Sequence, residues 1–349
     1  MTLLPTDSAP VTLDDVARHA GVSPMTVSNV INGKTNVRPA TREKVLESIK
    51  ATGYRANPMA RALAGGRSRM ISVFTPQLNK PYASEVVQGA ARAAEALNYD
   101  LVVMMLVESG TSDLSMMTRL STGALLIQPS RDGRWKHTDL PAHVVSVDGP
   151  GDRPLTVDNY GGACQAMQHL ISLGHTRIGF ISGLADEGRR PEGPFVPGLH
   201  DRNDADERYR GYLESMAAAG LQIPQGYIQH GNYTKVSGEQ ATQRLLTLPE
   251  PPTALFVSGD AMALGAIHMA QDLGMEVPRD LSVVGFDDLP IAAASRPGLT
   301  TVRQPLQQMG EVAVQMLVSL AEGQNPEVPG PFPTELIQRE STTSPRDRS

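Results

Sequence analysis

Cysteine is almost missing from this sequence. Cys164 is the single one among 349 residues, so an internal disulfide and a CxxC pair are excluded, and a reducing cytosol suits the chain. Long apolar runs are missing too. The most apolar stretch, Leu101–Val107, has the length of a strand and falls far short of the ~20 residues a membrane helix needs. The first ten residues, MTLLPTDSAP, lack the basic start and apolar stretch of a secretory signal. A cytoplasmic protein with no membrane partner is therefore expected.

Signs of catalysis are equally sparse. The eight histidines show no HExxH or other metal-ligand spacing, and no G-x-S-x-G elbow occurs. Gly33-Lys34-Thr35 resembles the end of a phosphate-binding P-loop, but Ser28 stands where its first glycine should be and no strand precedes it. Asp201, Asn203, Asp204 and Asp206 are acidic enough for calcium, yet the required glycine and terminal glutamate are misplaced. The chain is expected to be no enzyme and to carry no cofactor and no metal.

What is present is an ordinary folded composition, 40% apolar and 19% charged, long enough for two or three folding units. The net charge of −6 is unevenly divided. Residues 1–69 hold ten Lys/Arg against five Asp/Glu, whereas the remainder holds 21 against 32. A small basic head on a large acidic body can still bind phosphates, because that binding needs local positive charge.

After a loose tail at 1–10, Leu13, Val16, Ala17 and Ala20 fall on one helical face, with Thr12 as its cap and Gly21 as its stop. Ser23 and Pro24 open a second helix carrying Val27, Val30 and Ile31. A third begins near Pro39, with Val45, Leu46 and Ile49 facing inward, and ends at Gly53. Two short helices joined by a tight Ala-Gly-Val-Ser turn match a helix-turn-helix, and Thr26, Ser28 and Asn29 stay polar on its outer face. From Met70 short apolar runs alternate with helical patterns. The expected strands are Met70–Thr75, Leu101–Leu106, Ala124–Gln128, Val144–Val147, Arg177–Ile181, Ala254–Ser258 and Leu281–Phe286. The expected helices are Ala83–Leu97, Tyr160–Leu173, Asp206–Ala219, Val236–Leu246, Ala261–Leu273 and Pro305–Ala321. Such alternation implies parallel sheets covered on both faces, and about 280 residues implies two of them.

The segment VTLDDVARHAGVSPMTVSNVING, Val11–Gly33, resembles the head of the lac-repressor (LacI/GalR) family of bacterial transcription regulators. The similarity continues through Thr41–Ser68, HLISLGHTRIGFISG at His169–Gly183, SGDAMALG at Ser258–Gly265, LSVVGFDD at Leu281–Asp288 and LTTVRQ at Leu299–Gln304. The resemblance implies an all-α helix-turn-helix DNA-binding head and a hinge helix, followed by an α/β core of two periplasmic-binding-protein-like lobes with parallel sheets. On that pattern the head spans 11–56 and the hinge with its linker 57–69. The core spans 70–341, lobe 1 taking about 70–157 and 305–333 and lobe 2 about 158–304 and 334–341, with a disordered tail at 342–349.

By the same resemblance Pro24, Met25 and Asn29 read bases, although the family often carries arginine where Asn29 stands. Asparagine prefers adenine and arginine guanine, so the operator sequence stays open. Thr12, Ser23, Thr26, Ser28, Asn32 and Thr41 are phosphate contacts or helix caps. NPMARALAG, Asn57–Gly65, matches the hinge helix, with Arg61 reaching phosphate and Leu63 wedging between base steps. A wedge of this kind needs a symmetric partner, so a homodimer on double-stranded operator DNA is implied. In the core the pattern assigns an effector site to Arg208, Tyr233, Asp287 and Gln304, joined by Tyr82, Asp148 and Asp158 from the first lobe. Two departures stand out: Gly259 replaces a polar residue, and the loop Asp186–Asn203 is longer than usual. The expected effector is a small molecule, most simply a sugar. A nucleobase, a protein co-effector, or a non-regulatory sugar-binding protein remain as alternatives.

Overall fold

The computed structural model describes residues 11–31, 33–55, 68–76, 78, 80–105, 120–128, 140–183 and 204–346. Asn32, the hinge residues Asn57, Arg61 and Leu63, and the loop 186–203 lie outside the described residues. Residues 1–68 and 69–349 form separate compact units.

The first unit is helical. In α1 (Leu13–Ala20) the Asp15 N–H donates to Thr12 Oγ1 (3.3 Å) and the Thr12 N–H to Asp15 Oδ2 (2.9 Å), a reciprocal capping box. Gly21, at φ 60°, lets the Val22 N–H return to the Ala17 carbonyl (3.1 Å) and turns the chain into α2 (Pro24–Ile31). Ser23 Oγ accepts the Thr26 N–H (3.2 Å) at the start of α2. The third helix, α3 (Pro39–Thr52), begins with a proline. Val16, Ala20, Val27, Val30 and Val45 close a small core. Leu46, expected to face inward, is 53% exposed. Helical geometry explains the correction: Val45 and Ser48, three apart, share the buried face, and Leu46 is turned ~100° from Val45.

Among the described residues the second unit holds two sheets. The first contains β1 (Met70–Thr75), β2 (Asp100–Met105), β3 (Gly123–Ile127), β4 (Val144–Val147) and β5 (Pro154–Leu155), all parallel, in the order β2-β1-β3-β4-β5. The second contains β6 (Ile178–Ser182), β7 (Ile228–His230), β8 (Ala254–Val257), β9 (Ser282–Asp287), β10 (Thr300–Arg303) and β11 (Glu335–Ile337), in the order β11-β10-β9-β8-β6-β7. Only the β10–β11 pair is antiparallel. The strands β5, β7, β10 and β11 were not expected as strands. Each is four residues or fewer, too short to show periodicity, and β5, β7 and β11 sit at sheet edges, where fewer side chains need be apolar.

Among the described residues this unit also carries helices α4 (Pro81–Ala96), α5 (Asn159–Ser172), α6 (Asp204–Ala218), α7 (Lys235–Leu246), α8 (Asp260–Asp272), α9 (Pro290–Ala294) and α10 (Leu306–Ala321). The chain leaves the first sheet after β5 and returns to it as α10, which packs on α4, β3 and β4. The two helices cross at glycines: a Cβ on Gly89 would lie 1.8 Å from the Gln307 carbonyl oxygen, and one on Gly310 2.0 Å from that of Val86. Separate apolar cores fill the two lobes, one around Ile71, Val86, Leu125 and Leu317 and the other flanking the second sheet. Part of the expected tail is pinned rather than loose. The Thr343 N–H donates to Ser282 Oγ (3.0 Å), and Arg346 pairs with Asp280 (3.1 Å).

Candidate functional site

Parallel strands deliver loops to their carboxyl ends, and ligands of α/β sheets gather there. Gln128 follows β3, Asp148 follows β4, Ser258 follows β8, and Asp287 closes β9. A small open cleft lies among these ends. Lys80, Pro81, Tyr82 and Gln128 of the first lobe line it, facing Asp204, Arg208, Tyr233, Gly259, Ala261, Asp287 and Leu289 of the second.

Arg208 is the hub. Its guanidinium, nearly fully buried, donates from Nε to Asn159 Oδ1 (2.8 Å) and from Nη1 to the Ser258 carbonyl (2.7 Å). It lies 3.6 Å from Asp287 Oδ1 and stacks on the Phe286 ring at 3.7 Å. Gln304 Nε2 donates to Asp287 Oδ1 (2.6 Å), which places Gln304 behind the cleft wall. Burial pushes the Asp287 carboxyl up to about 6, with Arg208 opposing that rise. Asp260 is enclosed alongside, accepting from the Thr301 hydroxyl (2.6 Å) and the Leu289 N–H (2.8 Å). Burial, with the neighbouring Asp287 charge, lifts its carboxyl as well.

Tyr233 spans the cleft floor. Its ring occupies space that only glycine leaves: a Cβ on Gly183 would sit 1.8 Å from the ring and one on Gly259 3.0 Å from it. The Gly259 departure thus makes room for Tyr233. Lys80 Nζ, from the other lobe, lies 5.9 Å from the ring centroid, and burial pushes its ammonium below the ordinary lysine range. Gln128, Asp148, Tyr233 and Asp287 all hold positive φ, at 48°, 50°, 61° and 116°. Left-handed backbone at non-glycine residues costs about 1–3 kcal/mol and concentrates at functional sites.

The sequence-derived residues divide accordingly. Tyr82, Arg208, Tyr233 and Asp287 line the cleft, and Gln304 orients Asp287. Asp148 is near enough to Asp204, Arg208 and Asp287 to feel their charges, although it does not line the open space. Asp158 is not brought there. Exposed, it caps α5 by accepting the Gly161 N–H (2.7 Å), and its neighbour Asn159 makes the contact with Arg208. The expectation for Asp158 therefore moves one residue along, since the cap position claims the carboxylate. Sequence reasoning also missed Lys80, Gln128 and Asp204. Asp204 carried a signal: it stands four residues before Arg208, on the same face of α6.

In the head Met25 is 69% exposed and Pro24 exposed, whereas Asn29, Ser28, Thr26 and Thr41 are partly exposed. Thr12 and Ser23 are engaged as caps, and the Ser23 and Thr26 hydroxyls lie 2.9 Å apart. Among the described residues no group of His, Cys, Asp and Glu could hold a metal ion, and no helix is long and apolar enough to cross a membrane.

Residues 12–57 match the bacterial regulatory proteins of the lacI family, and residues 167–342 match the periplasmic binding protein-like domain. Catabolite control protein A of Priestia megaterium is 36% identical over 317 residues, covering 88% of this chain and 91% of that protein. The ribose operon repressor of Escherichia coli (strain K12) is 34% identical over 321 residues, covering 88% and 92%. Among solved structures, the lac repressor dimer bound to operator and the anti-inducer ONPF superposes with a TM-score of 0.82 at 28% identity, covering 96% of this chain and all of that one. The complex of the transcriptional regulator CelR with cellobiose gives a TM-score of 0.68 at 30% identity, covering 95% and 99%.

Proposed function

This chain belongs to the lacI family of bacterial regulatory proteins, and on that premise we propose that it is a transcriptional repressor whose grip on operator DNA is set by a small sugar held in the cleft. The carrying observation is the cleft itself: a buried Arg208–Asp287 pair and the Tyr233 ring on one lobe face Tyr82 and Lys80 on the other. Hydroxyls and a sugar face match that lining. A ligand touching both lobes favours one lobe arrangement, and it acts on DNA only through that difference in affinity.

In this reading the head is 11–56, the hinge 57–69 and the core 70–341, with lobes changing near residues 158, 305 and 334. Two copies bind a pseudo-palindromic operator. Pro24, Met25 and Asn29 face base edges, and Thr12, Ser23, Thr26, Ser28, Asn32 and Thr41 serve phosphates or caps. Asn57, Arg61 and Leu63 act in the minor groove. About two turns of hinge helix are marginal alone, so a coupling of ~1–3 kcal/mol from the lobes suffices to order or melt them.

The test is operator affinity by fluorescence anisotropy on the adjoining promoter, with D-ribose, D-glucose and cellobiose titrated. Wild type is released by one of them, whereas folded Arg208→Ala, measured below its own unfolding transition, stays bound. Equal responses of both proteins would show that the cleft is not the effector site. Release by a purine base and by no sugar would replace the sugar with a nucleobase.

A further inference from the structure

The turn that ends β9 brings Asp287 to the cleft, and its backbone is strained. Asp287 and Asp288 hold φ of 116° and 55°, two consecutive left-handed residues with no glycine between them. Such a backbone persists only where its surroundings fix it. Like charge adds to the strain, since Asp287 lies close enough to Asp260 for its charge to lift the Asp260 carboxyl.

Three successive residues of the turn are held, each by a different part of the second lobe. Asp287 accepts from Gln304 twice, at its carbonyl from the N–H (3.3 Å) and at Oδ1 from Nε2 (2.6 Å). The Leu289 N–H donates to Asp260 Oδ2 on α8 (2.8 Å). Between them stands Asp288, which does not line the cleft and whose side chain is only 7% exposed. Its Oδ2 accepts from Arg303 Nε on β10 (2.7 Å), and its Oδ1 from Arg339 Nη2 beyond β11 (2.7 Å). Arg339 is itself fixed, donating from Nη1 to the Leu299 carbonyl (2.8 Å) and from its N–H to Thr300 Oγ1 (2.9 Å). An exposed ion pair contributes little, but a buried carboxylate with a charge-assisted bond on each oxygen is fixed in place and direction. Arg303 directly precedes Gln304, so one strand end holds both aspartates.

We propose that Asp288 is a positioning residue for effector binding: clamped between Arg303 and Arg339, it holds the left-handed turn that aims the Asp287 carboxylate into the cleft. Asp288 touches no ligand and acts through Asp287. The inference rests on the cleft being the effector site.

The test compares full-length wild type with D288N. Asparagine enters the left-handed region as aspartate does, so this variant removes the charge of the clamp and leaves the backbone demand unchanged. Hydrogen exchange of the ligand-free protein reads the turn directly. The Leu289 and Gln304 amides exchange about tenfold or more faster in D288N, while those of β3 keep their wild-type rates. Isothermal titration with D-ribose, D-glucose and cellobiose reads the consequence. The sugar that binds wild type weakens about tenfold in D288N, and the same change made in D287N has no further effect. Unchanged exchange at Leu289 and Gln304 would overturn the inference. So would a D288N that keeps the wild-type affinity, or one that loses the same factor in the D287N background, as a purely structural role requires. Should D288N fail to fold, R303Q, which removes only the half-exposed arm of the clamp, replaces it in each measurement. If none of the sugars binds wild type, the sugar reading fails by itself; faster exchange then still upholds the clamp, and unchanged exchange still overturns it.

Discussion

At the cleft the second lobe's ionisable groups hold one another, and the first lobe's do not. Arg208, Asp287, Gln304, Asn159 and the Ser258 carbonyl form a connected network, and Asp260 is satisfied by Thr301 and Leu289. Across from them Tyr82 and Asp148 carry buried oxygens with no partner. Most polar groups of the second lobe are thus held by one another, Gln304 Oε1 being the exception, whereas Tyr82 Oη and both Asp148 carboxylate oxygens of the first lobe are buried without a hydrogen-bond partner.

The contrast can be broken from its strongest point downward. Arg208→Ala should be the most destabilising change, at about 3–5 kcal/mol, because it strands the buried Asp287. Urea unfolding of the ligand-free protein measures it, and a loss below ~1 kcal/mol would show that the network is not closed. Asp260→Ala should cost about 2 kcal/mol by the same measurement, since the Thr301 hydroxyl and Leu289 N–H lose their acceptor.

Asp148→Asn should act in the opposite direction. Burial raises the Asp148 carboxyl, as it does that of Asp287 to about 6. Between the ordinary carboxylate range and these values the folded protein holds protons that the unfolded chain has released. Stability contributed by these groups is therefore full below about pH 4 and declines as pH rises through their folded values. The Asn variant lacks one of these ionisations, so its Tm should exceed wild type at about pH 7 and the advantage should vanish near about pH 4. An Asn variant less stable than wild type at neutral pH would mean that Asp148 has a structural partner. The smallest effect belongs to Tyr82→Phe. It removes an unpaired hydroxyl and should leave stability within ~0.5 kcal/mol, while weakening any sugar that binds the cleft. A loss near 2 kcal/mol in the ligand-free protein would contradict the open valence.

Much of the fold was legible because its signals are local. Thr12 with Asp15, Gly21, and Ser23 with Pro24 mark the head helices through contacts within four residues. The seven expected strands are all found, with ends shifted by a residue or so, since a buried parallel strand must be apolar along its whole length. The short strands β5, β7, β10 and β11 were not legible. Their hydrogen bonds come from neighbours distant in sequence, as when β11 at 335–337 joins β10 at 300–303. The outward turn of Leu46 was likewise decided by which face of α3 meets the other two head helices.

The site divides along the same line. Residue type and motif position singled out Arg208, Asp287, Tyr233 and Tyr82, and all four line the cleft. Sequence alone therefore determined the family, the head and the central cleft residues, because each is written in a short run of neighbouring residues. Only the tertiary structure decided that Asp158 caps a helix while Asn159 holds Arg208, that Gly183 and Gly259 leave a slot for the Tyr233 ring, and that Asp148 has no partner. Those facts depend on which strand ends converge and how closely, and residues 80, 148, 204, 233 and 287 become neighbours only when two sheets fold against each other.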